Sequence, residues 1–355
     1  MAESTSKPCK VVYAVTSSGR DIYSVMTRVS VASIRISNPD FAIVLGCDDH
    51  SVVAMRQGRD PLLDEVDELL VCRTPPGDSA FRNRFVKTQL RLLVDGPFLF
   101  LDSDTLVRDN ISEVFLLDTD IACAPNLSKD NIEKQLSVYG EEILLMGWSH
   151  RQDVFVNGGV IFYNNTRGAA LFAENWHLKW RDVSSSCISL SSYAATEYRD
   201  QAALNAAIFD TAPRLEILPH RFNAQLKYSP GIVSSAVIWH FQFSQRDEPI
   251  TEFERLVLKL LKGAELQRSH VESLIQRDHP WTRDSWLDDL VARRVIKNGF
   301  LYSSDTLWFR SQRIRSMPTL LPRLLIGRTN YDRVKRMILR LIQGASQARR
   351  WLRLL

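Results

Sequence analysis

The chain has 355 residues, is 45% hydrophobic and 24% charged, and carries a net charge of +4. Those fractions exclude a disordered chain, a collagen-like repeat and a disulfide miniprotein. The length suits one large α/β domain or two smaller ones, and the longest apolar runs fall far short of the ~20 residues that span a bilayer. The opening MAESTSKPCK lacks the apolar stretch of a signal peptide. Five cysteines, odd in number and without a Cys-x-x-Cys pair, argue against a zinc site or a disulfide framework. The expectation is therefore a cytoplasmic protein with free thiols. Charge is uneven: residues 301–355 hold twelve Lys or Arg against Asp305 and Asp332, a net of +10, which leaves −6 on the other 300 residues. An acidic body with a basic tail is not the uniform basic surface of a nucleic-acid binder.

In chain order, Lys10–Val15 is a short β-type apolar run ended by Thr16-Ser-Ser-Gly19. Apolar positions at helical spacing run from Asp21 to Ile36 and stop at Asn38-Pro39-Asp40. Phe41–Leu45 is the next strand, and together these elements predict a βαβ unit and a parallel sheet. Glu68–Val71 predicts a third strand before the Pro75-Pro-Gly77 turn. A helix over Arg82–Leu93 precedes the apolar strand Pro97–Leu101. Further strands are predicted at Ile121–Ala124, Gly159–Tyr163 and Ser235–His240, and helices at Arg167–Trp180 and Asp200–Phe209. Ser184–Ser192 reads as a loop. Beyond about residue 250 strand signals fade, which divides the chain into an α/β unit over 1–250 and a helical region over 251–355.

The sharpest local feature is Phe98-Leu-Phe-Leu-Asp102-Ser-Asp104. A strand buried on both faces delivers two carboxylates, one residue apart, to its C-terminal end, the edge where open α/β sheets bind ligands. Carboxylates placed together repel unless a cation lies between them. Hard oxygen ligands suit Mg²⁺ or Mn²⁺, and such an ion commonly holds a diphosphate. The bland alternative is a pair of solvated loop acids with Asp102 as a helix cap. A phosphatase with an aspartate nucleophile fits poorly, because the Gly that follows its second Asp is missing and the motif lies 100 residues into the chain.

The stretch from Phe85 to Phe115, with Lys87 on a helix ahead of Asp102 and Asp104, resembles the family 8 retaining glycosyltransferases, which have the GT-A fold. Four later segments are similar to motifs of that family, in order: Phe155-Val-Asn157-Gly158-Gly159, Arg199-Asp200-Gln201, Leu218-Pro-His-Arg-Phe-Asn223 and Val237-Ile-Trp-His240. The resemblance covers residues 10–250 or so. It implies a GT-A α/β fold with a mostly helical C-terminal extension. It also implies that Asp102, Asp104 and His240 ligate Mn²⁺ or Mg²⁺, and that the donor is a nucleotide-sugar, UDP-glucose or UDP-galactose being the family guess. The same resemblance assigns Val15, Thr16 and Tyr23 to the base and ribose. Lys87, Asp102 and Ser103 fall to the donor, Asn157, Gly158 and Gly159 to the sugar, and Asp200 and Gln201 to the reacting side. Paired glycines let backbone approach a ligand, and an Asn amide can bond sugar hydroxyls.

After His240 the chain departs from that pattern. Phe243 replaces a Gly and Arg246 stands where the family has a Lys. Arg keeps the charge and can grip a phosphate in two places, so the leaving diphosphate remains served, while the acceptor side is reshaped. The implied reaction retains configuration at the anomeric carbon. A protein of another class, a binder of nucleotide-sugar without turnover, is the alternative. A sugar nucleotidyltransferase is disfavoured because its Gly-rich opening loop is absent.

Residues 331–355 place Val334, Met337, Ile338, Leu341, Ile342, Leu352 and Leu355 at helical spacing amid seven basic residues. Such a helix suits either an anionic membrane surface or packing on the domain. Implied partners are the nucleotide-sugar and a glycan, lipid-linked or protein acceptor. No nucleic acid is expected, and a homo-oligomer is left open. Residues 126–153, with Tyr139, Trp148 and His150, are candidates for the acceptor side.

Overall fold

The computed structural model describes residues 9–126, 142–185, 200–226, 235–241, 251–277 and 279–282. It is a mixed α/β fold around a seven-stranded sheet of order β3-β2-β1-β4-β7-β6-β8. The strands are β1 (Lys10–Val15), β2 (Ala42–Asp48), β3 (Glu68–Cys72), β4 (Phe98–Leu101), β6 (Ile121–Pro125), β7 (Val156–Tyr163) and β8 (Leu215–Ile217). The first four run parallel, as the βαβ reading requires. β7 runs antiparallel to both β4 and β6. This reversal matters for the site: Val160 pairs with Leu101, so β7 begins where β4 ends.

Alternate residues of each central strand enter opposite cores. Val11, Tyr13, Leu45, Leu99 and Leu101 lie on one side of the sheet with Ile34 and Phe162. Val12, Val44, Phe98 and Phe100 lie on the other with Leu90, Trp176 and Trp180. Each large apolar side chain so buried contributes about 1.5–3 kcal/mol, which explains why these strands read as continuous apolar runs. The helices α1 (Ile22–Ser37), α4 (Ser79–Leu93), α5 (Arg167–Ser185) and α6 (Gln201–Thr211) cover the two faces.

Two helix starts differ from expectation for a capping reason. In α1, the Asp21 carboxylate accepts from the backbone N–H groups of Tyr23 and Ser24 at 3.0 and 3.1 Å. In α4, Asp78 accepts from Phe81 N at 2.8 Å, so that helix starts at Ser79, three residues before the predicted Arg82. The short helices α2 (Asp49–Gln57) and α3 (Leu62–Glu65) were not foreseen.

A second, three-stranded sheet has the order β5-β10-β9, formed by Thr105–Val107, Ile238–His240 and Ala224–Gln225. β10 runs antiparallel to β5, with His240 opposite Thr105. This pairing carries a residue from far along the chain to the Asp102–Asp104 turn. Behind it, Trp239 and Phe241 share a core with Val25, Met26 and Val29 of α1 and with two later helices, α7 (Glu252–Leu261) and α8 (Arg268–Ile275). The expected tail helix over 331–355 lies outside the described residues. No helix among the described residues is long and apolar enough to cross a membrane.

Candidate metal and donor site

The site forms at the C-terminal ends of β1 and β4. Below the Asp102–Asp104 turn runs a chain of buried hydroxyls. Tyr13 meets Ser30 at 2.7 Å, Ser30 meets Thr105 at 3.0 Å, and Thr105 Oγ1 donates to the Asp102 carbonyl at 2.8 Å. From the side, Asp102 N–H donates to the Gly159 carbonyl at 2.8 Å, and Phe241 N–H donates to the Asp104 carbonyl at 2.9 Å. The turn is thus held by both sheets at once.

Asp102, Asp104 and His240 meet as the resemblance implied. His240 Nε2 lies 3.3 Å from Asp104 Oδ1 and 3.9 Å from Asp102 Oδ2. One ligand atom from each of the three lies within 4.8 Å of the others. Two carboxylates and an imidazole make a hard donor set that fits Mg²⁺ or Mn²⁺. Gly159 supplies the room. A Cβ there would stand 2.3 Å from His240 Cε1 and 2.9 Å from Asp102 Oδ2. Burial lowers the His240 pKa, but the carboxylates of Asp104 and Asp102 outweigh it, so the ring titrates above its ordinary value.

Next to this cluster lies a region whose cations come from the protein itself. Lys87, only 4% exposed, donates to Asp102 Oδ1 at 3.0 Å and stands 3.1 Å from Asp200 Oδ2. The second contact is an ion pair. Arg84 Nε lies 3.6 Å from the same oxygen. Burial alone would raise the Asp200 pKa, but Lys87 and Arg84 reverse the effect and hold its carboxyl below the usual range. Asp200 occupies the N-cap position of α6, yet its side chain caps nothing; it points to Lys87 instead.

Gln201 is inward-facing rather than solvated. Its Oε1 accepts from Gly158 N–H at 3.2 Å, and its amide nitrogen donates to the Val156 carbonyl. A Cβ on Gly158 would only touch Lys87 Nζ at 3.7 Å and Gln201 Oε1 at 3.8 Å, ordinary contacts, and would press on the flexible end of Leu204 at 3.2 Å. Asn157 is 7% exposed and its amide is engaged by Gly159, Asn223 and Asn126. These three protein partners hold the amide expected to face the sugar.

At the end of β1, Val15 and Thr16 are buried, and the Thr16 hydroxyl donates to the Ser79 carbonyl at 2.8 Å. Tyr23 is 52% exposed. Its phenol is close enough to Arg84 to raise the guanidinium pKa, behind the larger effect of Asp200. Ser103, half-buried, lies between the two acids. Arg246 and Tyr139 lie outside the described residues. Trp148 is covered by the Lys179 ammonium, 4.9 Å from its ring, and His150 Nδ1 bonds the Arg151 carbonyl. Arg84, Asn126 and the role of Asn223 were not foreseen. Arg84 lies one turn before Lys87 on α4, and that i, i+3 pairing of cations facing one strand end was the available signal.

No family pattern matches this chain, and no curated protein does. Among solved structures it is similar to the galactosyltransferase LgtC, seen in complex with donor and acceptor sugar analogs. That match has 17% identity and a TM-score of 0.48, over 73% of this chain and 97% of that one. It is also similar to the glycosyltransferase GlyE of Streptococcus pneumoniae TIGR4, with 18% identity and a TM-score of 0.46, over 79% of this chain and 66% of that one. At such scores the likeness carries no weight for function, which rests on the side chains described above.

Proposed function

We propose that the protein is a metal-dependent glycosyltransferase of GT-A type that moves a hexose from a nucleotide-sugar to an acceptor hydroxyl with retention of configuration. The observation that carries this reading is the meeting of Asp102, Asp104 and His240 at the carboxyl edge of the parallel strands, beside the Lys87–Asp200 pair. Asp102, Asp104 and His240 would hold Mn²⁺ or Mg²⁺. When bound, the cation supplies neutralising charge for the diphosphate.

The chain's own residues do the rest. Lys87 holds Asp102 and Asp200 apart at fixed positions on either side of its ammonium. Gln201 and the two glycines bring backbone close to the donor. Tyr23 offers an exposed ring for the base, and UDP-glucose or UDP-galactose is the donor proposed. The glycosidic bond to the diphosphate breaks, the acceptor oxygen bonds to the same face of the anomeric carbon, and the acceptor proton leaves with the departing phosphate. Asp200 suits orienting the sugar better than attacking it, because a carboxylate held ionised by two cations is a weakened nucleophile.

Replacing Asp104 by Ala tests the site. With a panel of nucleotide-sugars and Mn²⁺, the wild-type protein should release nucleoside diphosphate slowly, and the variant should lose at least about 100-fold of that rate. Unchanged turnover with unchanged metal dependence would overturn the assignment. Binding of nucleotide-sugar without any turnover would instead identify a non-catalytic binder.

A further inference from the structure

The imidazole that completes the cluster is held by a chain of amides whose direction is set by one backbone group. Gly159 N–H can only donate, and it meets the Asn157 side chain at 2.9 Å, so the atom it meets is the oxygen Oδ1. That same oxygen lies 2.9 Å from the Asn223 amide. An acceptor needs a donor opposite, so Asn223 presents its nitrogen there. The other end of the Asn223 amide is then the carbonyl oxygen, which faces His240 Nδ1 at 2.8 Å. Nδ1 must therefore carry the hydrogen. The polarity of all three contacts follows from a main-chain N–H that cannot be reversed.

We propose that Gly159, Asn157 and Asn223 form a one-way hydrogen-bond chain that keeps His240 Nδ1 as a donor and turns Nε2 toward the two carboxylates, making Asn223 and Asn157 positioning residues for a divalent cation. The proposal rests on the metal reading given above. Its members are dry: Asn157, Asn223 and His240 are 7%, 0% and 5% exposed. Water therefore cannot easily substitute for a lost partner. The far end is anchored, since Asn157 Nδ2 donates to Asn126 Oδ1 at 2.8 Å. Gly159 also accepts from Asp102 N–H through its carbonyl. One residue of β7 thus sets the orientation of the imidazole through its N–H and holds the first carboxylate through its C=O. Partners that fix a ligating histidine in this way typically contribute 10- to 100-fold in metal affinity.

The test uses the full chain and Mn²⁺ alone, followed by electron paramagnetic resonance, with no sugar present. Asn223→Leu removes the acceptor while roughly keeping the volume, and should weaken Mn²⁺ binding roughly 10- to 100-fold. Asn223→Asp keeps an acceptor oxygen opposite Nδ1 but sets its other oxygen against Asn157 Oδ1, so it loses only the link to Asn157 and should weaken binding about threefold to tenfold. Asn157→Leu cuts the chain one link further away and should weaken binding by a smaller factor, about threefold to tenfold. A second readout is specific to the imidazole. Co²⁺-loaded wild-type protein should show an exchangeable, hyperfine-shifted N–H proton from His240, and Asn223→Leu should shift it by removing its acceptor.

Wild-type affinity in Asn223→Leu with the N–H signal unmoved would overturn the chain while leaving the metal site intact. An Asn223→Asp variant as weak as Asn223→Leu, with the His240 N–H signal equally displaced, would overturn it too, since an acceptor opposite Nδ1 would then not be what matters. If Asn223→Leu fails to fold, Asn157→Leu decides, and wild-type affinity there overturns the proposal. A wild-type protein that takes up no Mn²⁺ overturns the metal reading itself, a result distinct from all of these.

Discussion

The two sides of the site solve the same electrostatic problem differently. On the side proposed for the sugar, Asp200 is 8% exposed and faces cations of the protein, Lys87 at 3.1 Å and Arg84 at 3.6 Å. On the side proposed for the metal, Asp102 and Asp104 both face the same imidazole nitrogen, His240 Nε2. Asp102 belongs to both, with Oδ1 turned to Lys87 and Oδ2 toward His240. A carboxylate matched by built-in ammonium and guanidinium groups is a finished structure. A pair of carboxylates matched by a neutral-capable ring, and kept open by a glycine, is an arrangement shaped for a further positive charge. The comparison predicts that damage on the metal side appears as lost cation binding, and damage on the sugar side as lost stability.

The largest expected effect comes from Gly159→Ala. The added methyl would stand 2.3 Å from His240 Cε1, so the ring must move by about 1 Å or more. A displacement of that size costs on the order of 100-fold in a site built on geometry. Mn²⁺ binding, followed by paramagnetic resonance alongside circular dichroism, should fall by at least about that factor in a folded protein. Gly158→Ala is the control one residue away. Its Cβ would meet first the flexible end of Leu204 at 3.2 Å, so Mn²⁺ affinity should hardly change. Equal losses in the two variants would erase the distinction between the sides.

The next effect belongs to the sugar side. Lys87→Met removes the cation shared by Asp102 and Asp200 and leaves Asp200 with Arg84 alone among its two cations. Breaking a buried pair on one side costs about 3 kcal/mol. Urea denaturation of the metal-free protein should show a loss of that order. A stability equal to wild type would mean that Lys87 is a surface lysine in all but position.

The strand that carries Asp102 and Asp104 was legible because burial on both faces forces an unbroken apolar run, and its abrupt end in two acids is a chemical signal. The parallel pairing of β1 with β2 was expected from two strands flanking one helix, whereas the strand order was not. His240 was placed by its resemblance to a family motif, and physically it reaches the acids through the short pairing of β10 with β5. β10 lies inside the strand expected over Ser235–His240, but its partners β5 and β9, of three and two residues, have too little length for a period to show, so that second sheet was not foreseen. Asn223 and Asn126 were missed in their roles because amide chains obey no spacing rule; their members meet only after β7, β9 and β6 converge. Arg84 was hidden because a lysine one turn away already accounted for the cation on that helix. The helix α2 went unread because its apolar positions are few and its start depends on Asp48, whose carboxylate accepts from Ser51 N–H.

The smallest effect concerns acid, and it acts on the helix that supports the sugar side from behind. Thr88, next to Lys87 on α4, bonds His177 Nδ1 at 2.8 Å. Burial among Phe85 and Trp180, with some repulsion from Arg181, lowers the His177 pKa from 6.5 to about 4. The folded protein therefore refuses a proton that the unfolded chain accepts between those values. Stability contributed by the neutral ring is fully present above about pH 6.5 and is lost as pH falls toward 4. Asp200, whose carboxyl is held below 3.8, adds its own loss only further down. His220, also depressed by burial, titrates on the same side as His177, so some slope survives without His177. His177→Gln keeps a hydrogen-bonding end but cannot take a proton. Urea denaturation at about pH 7 and about pH 5 should show a smaller acid loss in His177→Gln than in wild type, with Mn²⁺ affinity at the higher pH unchanged. An identical acid loss would remove His177 from the account of how α4 is held, and a changed Mn²⁺ affinity would show that the two sides of the site are coupled through that helix.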